Sequence, residues 1–397
     1  MKNRLQSLLA VAAAIALTAQ WIFLRFHPVA LPVPWNALLP GLAIFGAAFL
    51  LSWAAELAQL DIPQALALAI LALIAVLPEY AVDMYFAWKA GKDPAYIAYA
   101  TANMTGSNRL LIGIGWPTAL FAFWMGTRKR EIVLEPAQAV EIATLFIATV
   151  YSFLIPLKGT LSLVDTFFFI GLFIFYMVCA SRSHHVEPEL GGPSEWMGRW
   201  RPAPRRAAML LLFAVAGYAI FLAAEPFAEG LLGIGRAWGV EEFVLVQWLA
   251  PLASESPEFV VAILFALRGM AGAALGTLIS SKVNQWTLLI GMLPLTFSIS
   301  GGHLQAMHLD KRQIEEIFLT SAQSFLAVSA LSNFRFSWWE ALSLIGLFSV
   351  QVMIPSPQIR YLFAGLYLVL AAVLLLGNTG RRKSVFSLLT QSWKPGR

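Results

Sequence analysis

Cysteine is almost missing from this chain: Cys179 is the single one in 397 residues. No intrachain disulfide can form, and no thiolate metal cluster can be built. Charge is scarce as well, at 12% of residues, where a soluble globular chain averages about 25%. In its place stand 59% hydrophobic residues and a mean hydropathy of +0.72. The composition excludes an ordinary soluble fold and identifies an all-α, polytopic membrane protein. An outer-membrane barrel is excluded too, because its short alternating segments carry far less continuous apolar sequence. The partner this surface implies is the lipid bilayer, and no nucleic acid is expected.

Apolar runs long enough to cross about 30 Å of hydrocarbon fall near 7–25, 36–58, 62–88, 95–125, 136–157, 161–180, 207–231, 240–267, 270–300, 314–333, 337–354 and 358–377. The first reads as a true helix, since its apolar span is long for a signal peptide and the cleavage pattern around Leu17–Ala19 is poor. The runs at 95–125 and 270–300 are long and interrupted by glycine, so broken or strongly tilted helices are expected there. Tryptophans near span ends, such as Trp116, Trp124, Trp238 and Trp339, read as interfacial anchors. With the N-terminus inside, the cytoplasmic side receives Lys2 and Arg4, Arg128 to Arg130, Arg182 to Arg206, Arg268, Arg335 and the tail Arg381-Arg382-Lys383. That excess places both termini in the cytoplasm, and a prokaryotic inner membrane is the simplest host. The basic tail also suits an anionic leaflet. The loop 181–206 reads as a solvated linker, although His184, His185, Glu187 and Glu189 hold ligand-type side chains.

The linker divides two halves of five spans each, and an odd number inverts the second half relative to the first. The expected organisation is an extra N-terminal helix (1–35), a first inverted repeat (36–180), the cytoplasmic linker (181–206), a second inverted repeat (207–354) and an extra C-terminal helix with a basic tail (355–397). Inverted repeats with site residues near the bilayer midplane are an architecture of secondary transporters. The two halves share polar signatures at apolar depth. Pro78-Glu79 matches Pro257-Glu258, and Gly106-Ser107-Asn108 matches Ser280-Ser281-Lys282. Leu111–Gly113 and Leu289–Gly291 repeat the same Leu-Ile-Gly.

A charge at the bilayer centre costs at least about 2.5–3.5 kcal/mol, so it marks a pathway or a site. Glu79 and Asp83 lie one turn apart on a helix face, as do Glu255 and Glu258. Asn103 and Ser107, and Thr277 and Ser281, have the same spacing. Carboxylate, amide, hydroxyl and carbonyl oxygens are what hard cations require. Neither histidine nor cysteine joins the set, which argues against zinc, copper or iron. No nucleophile or paired-aspartate motif points to an enzyme, and no cofactor is expected.

These residues resemble the alpha repeats of the calcium/cation antiporter superfamily, the sodium/calcium exchangers, in which a Pro-Glu is followed some twenty residues later by a Gly-Ser-Asn-type cluster. The resemblance implies an alternating-access antiporter that exchanges Ca2+ or another divalent for Na+ or H+. Glu79 and Glu258 would be the central ligands, with Asn103, Ser107 and Asn108 supporting them and Thr277 and Ser281 opposite. Asp83 and Glu255 would be further carboxylates. The sequence departs from the pattern at Ala75-Val76, at Glu255, at Thr277 and at Lys282, where the family has hydroxyls, Ser, Asn or Asp, and Asn. An ammonium has three donors and no acceptor, so Lys282 cannot ligate a cation. It either pairs with Glu255 or stands in for one transported cation, which makes it the expected ion-coupling residue. Snorkelling to the interface is the plain alternative. A non-transporting membrane sensor of the same fold is the competing functional reading.

Overall fold

Hydrocarbon offers no partner for backbone N–H and C=O groups, so apolar runs fold into helices that satisfy their own hydrogen bonds. The computed structural model describes residues 2–27, 29–61, 76–181, 190–354, 356–377 and 379–391. The first half comprises α1 (Lys2–Phe26), α2 (Val33–Ala58), α3 (Leu77–Ala90), α4 (Ile97–Leu110), α5 (Trp116–Thr127), α6 (Ala139–Ser152), α7 (Leu154–Lys158) and α8 (Leu163–Ala180). The short α9 (Pro193–Met197) leads into α10 (Pro202–Trp238), α11 (Glu242–Leu267), α12 (Ala271–Asn284), α13 (Ile290–Gly301), α14 (Lys311–Leu331), α15 (Trp338–Met353), α16 (Pro357–Leu376) and α17 (Thr379–Gln391). Among the described residues nine helices are long and apolar enough to cross a membrane. Of the other expected spans, 62–88 lies largely outside the described residues, 338–353 is a shorter apolar helix, and 271–301 carries its hydroxyls and Lys282 in its first half.

By internal contacts the chain forms two compact units, Met1–Phe86 with His185–Val260, and Ala87–His184 with Val261–Arg397. The division falls inside α3 and α11, so each unit draws on both halves of the sequence.

In the first unit α1, α2 and α10 pack through small side chains. Ala14, Ala47, Ala54, Ala58, Ala216 and Ala219 share one buried cluster with Leu50, Leu51 and Trp53. Small residues allow the close backbone approach on which helix association in lipid depends. Gly230 of α10 is the tightest instance, since a Cβ there would stand 2.5 Å from the Asn36 carbonyl oxygen and 2.7 Å from the Ala37 Cα. Both neighbours are backbone and cannot rotate away. Gly230→Val should therefore cost on the order of 1–3 kcal/mol by overpacking. The expected result is a lower melting temperature and less monodisperse protein in detergent, and an unchanged melting curve would refute the close approach.

The loop after residue 189 is not the solvated linker expected from its composition. Ser194 is fully buried, its hydroxyl donates to Glu56 Oε2, and the Gly191 N–H donates to the same oxygen at 2.7 Å. A buried carboxylate needs such donors, and the loop supplies them. His184, His185, Glu187 and Glu189 lie outside the described residues. Beside this contact the Arg205 guanidinium donates to both oxygens of Asp61, at 2.9 and 3.0 Å. These hydrogen bonds, with help from Arg206, hold the Asp61 carboxyl below the ordinary carboxylate range.

The second unit contains strands that the sequence reading does not anticipate. β1 (Glu131–Val133) pairs antiparallel with β4 (Arg335–Ser337), setting Ile132 opposite Phe336. β2 (Thr160–Leu161) pairs with β3 (Met307–His308), setting Leu161 opposite Met307. Each ribbon takes one strand from each half of the chain, the mutual pairing that inverted halves produce.

The runs at 95–125 and 270–300 are continuous rather than broken. α4 passes into α5 through a π-helical segment, Leu111–Gly115, and α12 passes into α13 through another, Gln285–Leu289. The π-turns absorb the interruption without ending the helix. Trp116, expected at an interface, is fully buried after the first of them. Of the basic tail Arg381-Arg382-Lys383, the first residue faces the protein and the other two are exposed. Arg381 of α17 donates to Glu340 Oε1 at 2.5 Å and to the Ser329 and Ala330 carbonyls at 3.0 and 2.8 Å. It thereby caps the C-terminal turn of α14, where carbonyls lack helical partners, and is committed to the protein.

Candidate functional site

The motif carboxylates all belong to the first unit. Glu79 and Asp83 lie on α3 and are 2% and 0% exposed, and Glu255 on α11 is 2% exposed. Glu258, one turn beyond Glu255, is half-buried. Its Oε2 is shielded from solvent and makes no hydrogen bond among the described residues. Pro257 sits inside α11, where a missing N–H leaves a carbonyl unbonded. Pro78 stands at the second residue of the described α3, a position that tolerates it. The two Pro-Glu pairs thus share sequence but differ in helical context. Among the described residues no three His, Cys, Asp or Glu side chains gather closely enough to hold a metal ion by themselves. A cation on these carboxylates would need neutral oxygens as well.

The neutral oxygens predicted for that purpose belong to the second unit. Asn103, Ser107 and Asn108 of α4 are fully buried. Both amide atoms of Asn103 and the Ser107 hydroxyl make no hydrogen bond among the described residues. Buried polar groups are nearly always satisfied, so such atoms in apolar surroundings are candidate ligands for an ion or water. On α12, Ser281 is 7% exposed, and the Thr277 hydroxyl donates within its helix to the Ala273 carbonyl at 2.9 Å.

Asn108 and Lys282 are brought together. The Lys282 ammonium is fully buried, donates to Asn108 Oδ1 at 2.6 Å, and lies 4.1 Å from the centre of the Trp286 ring. Burial excludes the snorkelling alternative. The two partners occupy corresponding positions of the two repeats, so the structure joins residues related by the internal duplication. The π-segments keep the same register. Leu111 follows Asn108 as Gln285 follows Lys282, whereas the second Leu-Ile-Gly lies a turn further on and is out of step. Gln285 opens the second π-segment, fully buried, with both amide atoms unbonded among the described residues. It is a site candidate that motif reading passes over, although an amide inside an apolar run is a visible signal.

Two further polar groupings in this unit bring in residues from outside the motifs. On α6, α8 and α12, the Tyr176 hydroxyl donates to Glu141 at 3.3 Å and lies 3.5 Å from the Ser280 hydroxyl. The other is a buried charge network. Arg109, next to Asn108, meets Glu316 of α14 at 2.5 Å and Gln351 of α15. Arg360 of α16 meets Glu316 at 2.8 Å and Glu315 at 2.9 Å. Each of these buried charges thus has an opposite charge at hydrogen-bond distance, without which its burial would be strongly unfavourable.

Comparison with known proteins places this geometry. A family model described as sodium/calcium exchanger protein matches residues 35–182 and 208–356. The crystal structure of an H+/Ca2+ exchanger, CAX, is 44% identical, covers 99% of this chain and 98% of its own, and superposes with a TM-score of 0.93. The sodium-calcium exchanger NCX_Mj is 15% identical, with coverage of 80% and 97%, and shares the fold at a TM-score of 0.54. CaxA from Alkalimonas amylolytica, provisionally named an antiporter, is 25% identical over 237 residues, 58% of this chain and 69% of that one.

Proposed function

The chain belongs to the sodium/calcium exchanger protein family, as a multi-pass membrane antiporter of cations, and on that premise we propose that it exchanges Ca2+ for H+ by alternating access. The observation that carries the choice of proton is Lys282. The family pattern expects an amide at this position, and this chain buries an ammonium on Asn108 instead. A fixed positive charge repels a metal ion and takes no part in its coordination. Fewer sites then remain for Na+, while the carboxylates can still exchange Ca2+ for protons. The relative that is 44% identical is an H+/Ca2+ exchanger, which supports the same reading.

Glu79 and Glu258 are the proposed cation ligands, with Asp83 and Glu255 setting the negative charge. Asn103, Ser107, Asn108, Thr277 and Ser281 are the proposed supporting oxygens, since Ca2+ takes six to eight ligands of this kind. Four carboxylates and one lysine leave a net charge of about −3, sufficient for one divalent with a proton. The protein acts as a transporter rather than an enzyme, and needs no cofactor beyond its transported ions. The proposed setting is a prokaryotic inner membrane with both termini in the cytoplasm.

Radiolabelled Ca2+ uptake into proteoliposomes tests this directly, driven in turn by an outward H+ gradient and an outward Na+ gradient. Uptake with H+ and none with Na+ is expected. Uptake with Na+ alone would overturn the coupling ion, and none with either would favour a non-transporting sensor whose pathway Lys282 plugs.

A further inference from the structure

The helix α4 sorts its polar residues by face. Ser107 and Arg109 are two residues apart, hence about 200° around the axis, so the arginine projects from the side opposite the proposed ligand. That rear side is held by α14 at two points a further two turns apart. Glu316 Oε2 accepts from Arg109 Nη1 at 2.5 Å, and the Gln323 side-chain amide donates to the Arg109 main-chain carbonyl at 3.3 Å. α15 adds Gln351 on the same guanidinium and Phe348, whose ring centre lies 5.9 Å away.

Glu316 does not serve Arg109 alone. Its other oxygen accepts from Arg360 Nε at 2.8 Å, while Arg360 Nη1 donates to Glu315 at 2.9 Å. Arg360 stands on α16, beyond the residues that the exchanger family model matches. A helix outside the duplicated unit therefore supplies a second guanidinium to Glu316 behind α4. Burying two ion pairs in an apolar setting contributes little to stability compared with hydrophobic side chains of the same volume. What such a bridge does supply is a fixed geometry, through charge-assisted hydrogen bonds of defined direction.

We propose that Glu316 is a positioning residue for ion binding. By bridging Arg109 and Arg360 it fixes the rotation and depth of α4, and through them the aim of Asn103, Ser107 and Asn108. The proposal rests on the reading of those three as ion-binding groups, and it adds α14 and α16 to the apparatus that tunes affinity.

The test uses the purified full-length protein. Ca2+ binding is measured by scintillation proximity, and uptake in proteoliposomes, for wild type, Glu316→Gln, Glu316→Asp and Gln323→Leu. Glu316→Gln should weaken Ca2+ binding and raise the apparent KM about ten-fold with Vmax little changed, the pattern of lost ground-state binding. Glu316→Asp should recover part of the loss. Gln323→Leu, which removes a neutral group, should raise KM about three-fold and decides the matter if Glu316→Gln does not fold. Lower thermal stability with wild-type Ca2+ affinity in the folded fraction would overturn the proposal and leave the network a purely structural role. Wild-type protein that binds Ca2+ without transporting it would instead overturn the antiport reading alone.

Discussion

Glu258→Gln is expected to abolish Ca2+ uptake while leaving a folded, monodisperse protein. Glutamine keeps the shape of the side chain and one oxygen acceptor but removes the charge. At apolar depth the charge is the part that matters, because a divalent ion that has shed its water must be compensated there. The fold should tolerate the change. Glu258 Oε2 makes no hydrogen bond among the described residues, so no protein partner of that atom loses an acceptor. A loss of at least about 100-fold in initial rate, near 2.7 kcal/mol, is expected. Glu79→Gln should behave the same way, since it heads the matching Pro-Glu. Initial rates of radiolabelled Ca2+ uptake, with size-exclusion profiles as the control for folding, provide the measurement. Unaltered transport in both variants would sink the assignment of these glutamates as ligands.

The second large effect is expected at Lys282. Lys282→Asn restores the residue type that the family pattern carries and removes one buried positive charge. Uptake driven by H+ should fall at least about ten-fold, with part of it becoming driven by Na+, because an amide oxygen can ligate a metal where an ammonium cannot. Lys282→Met separates charge from ligation. It also leaves Asn108 Oδ1 without the 2.6 Å donor it now has, a loss of about 1–3 kcal/mol for a buried acceptor, and it forfeits the contact with the Trp286 ring. Lys282→Met should therefore melt at a lower temperature and gain no Na+ dependence. If both variants keep wild-type H+ coupling, Lys282 is a structural residue and does not select the proton as coupling ion.

The parts of the structure that can be read from the sequence are those that the bilayer dictates. Apolar runs must be long enough to cross and must close their own hydrogen bonds, so the helices at 33–58, 139–158, 163–180, 242–267, 311–331 and 357–376 fall close to the expected runs. The duplicated Pro-Glu and Ser-Asn or Ser-Lys signatures stand out for the same reason, since polar residues at that depth are costly and have to be useful.

Pairings between distant segments are a different matter. Arg109, Glu316, Gln351 and Arg360 are buried in one network, yet each alone reads as an isolated charge or amide, Arg109 in the middle of an apolar run and the other three near the edges of theirs. The strands of two or three residues that join the halves are too short for any alternation to announce them. The loop at 190–200 is polar enough to pass for solvated, and is held by Glu56, which accepts from Gly191 and Ser194, and by Met197, which joins the buried apolar cluster. Lys282 is the clearest case. The sequence by itself determined that a lysine stands where an amide belongs, and hence that the ion chemistry must differ. Only the tertiary structure decided that its ammonium lies on Asn108 and over Trp286. Helix formation and hydropathy are local properties of the chain, whereas a hydrogen bond between residues far apart in sequence exists only once packing has set the helices side by side.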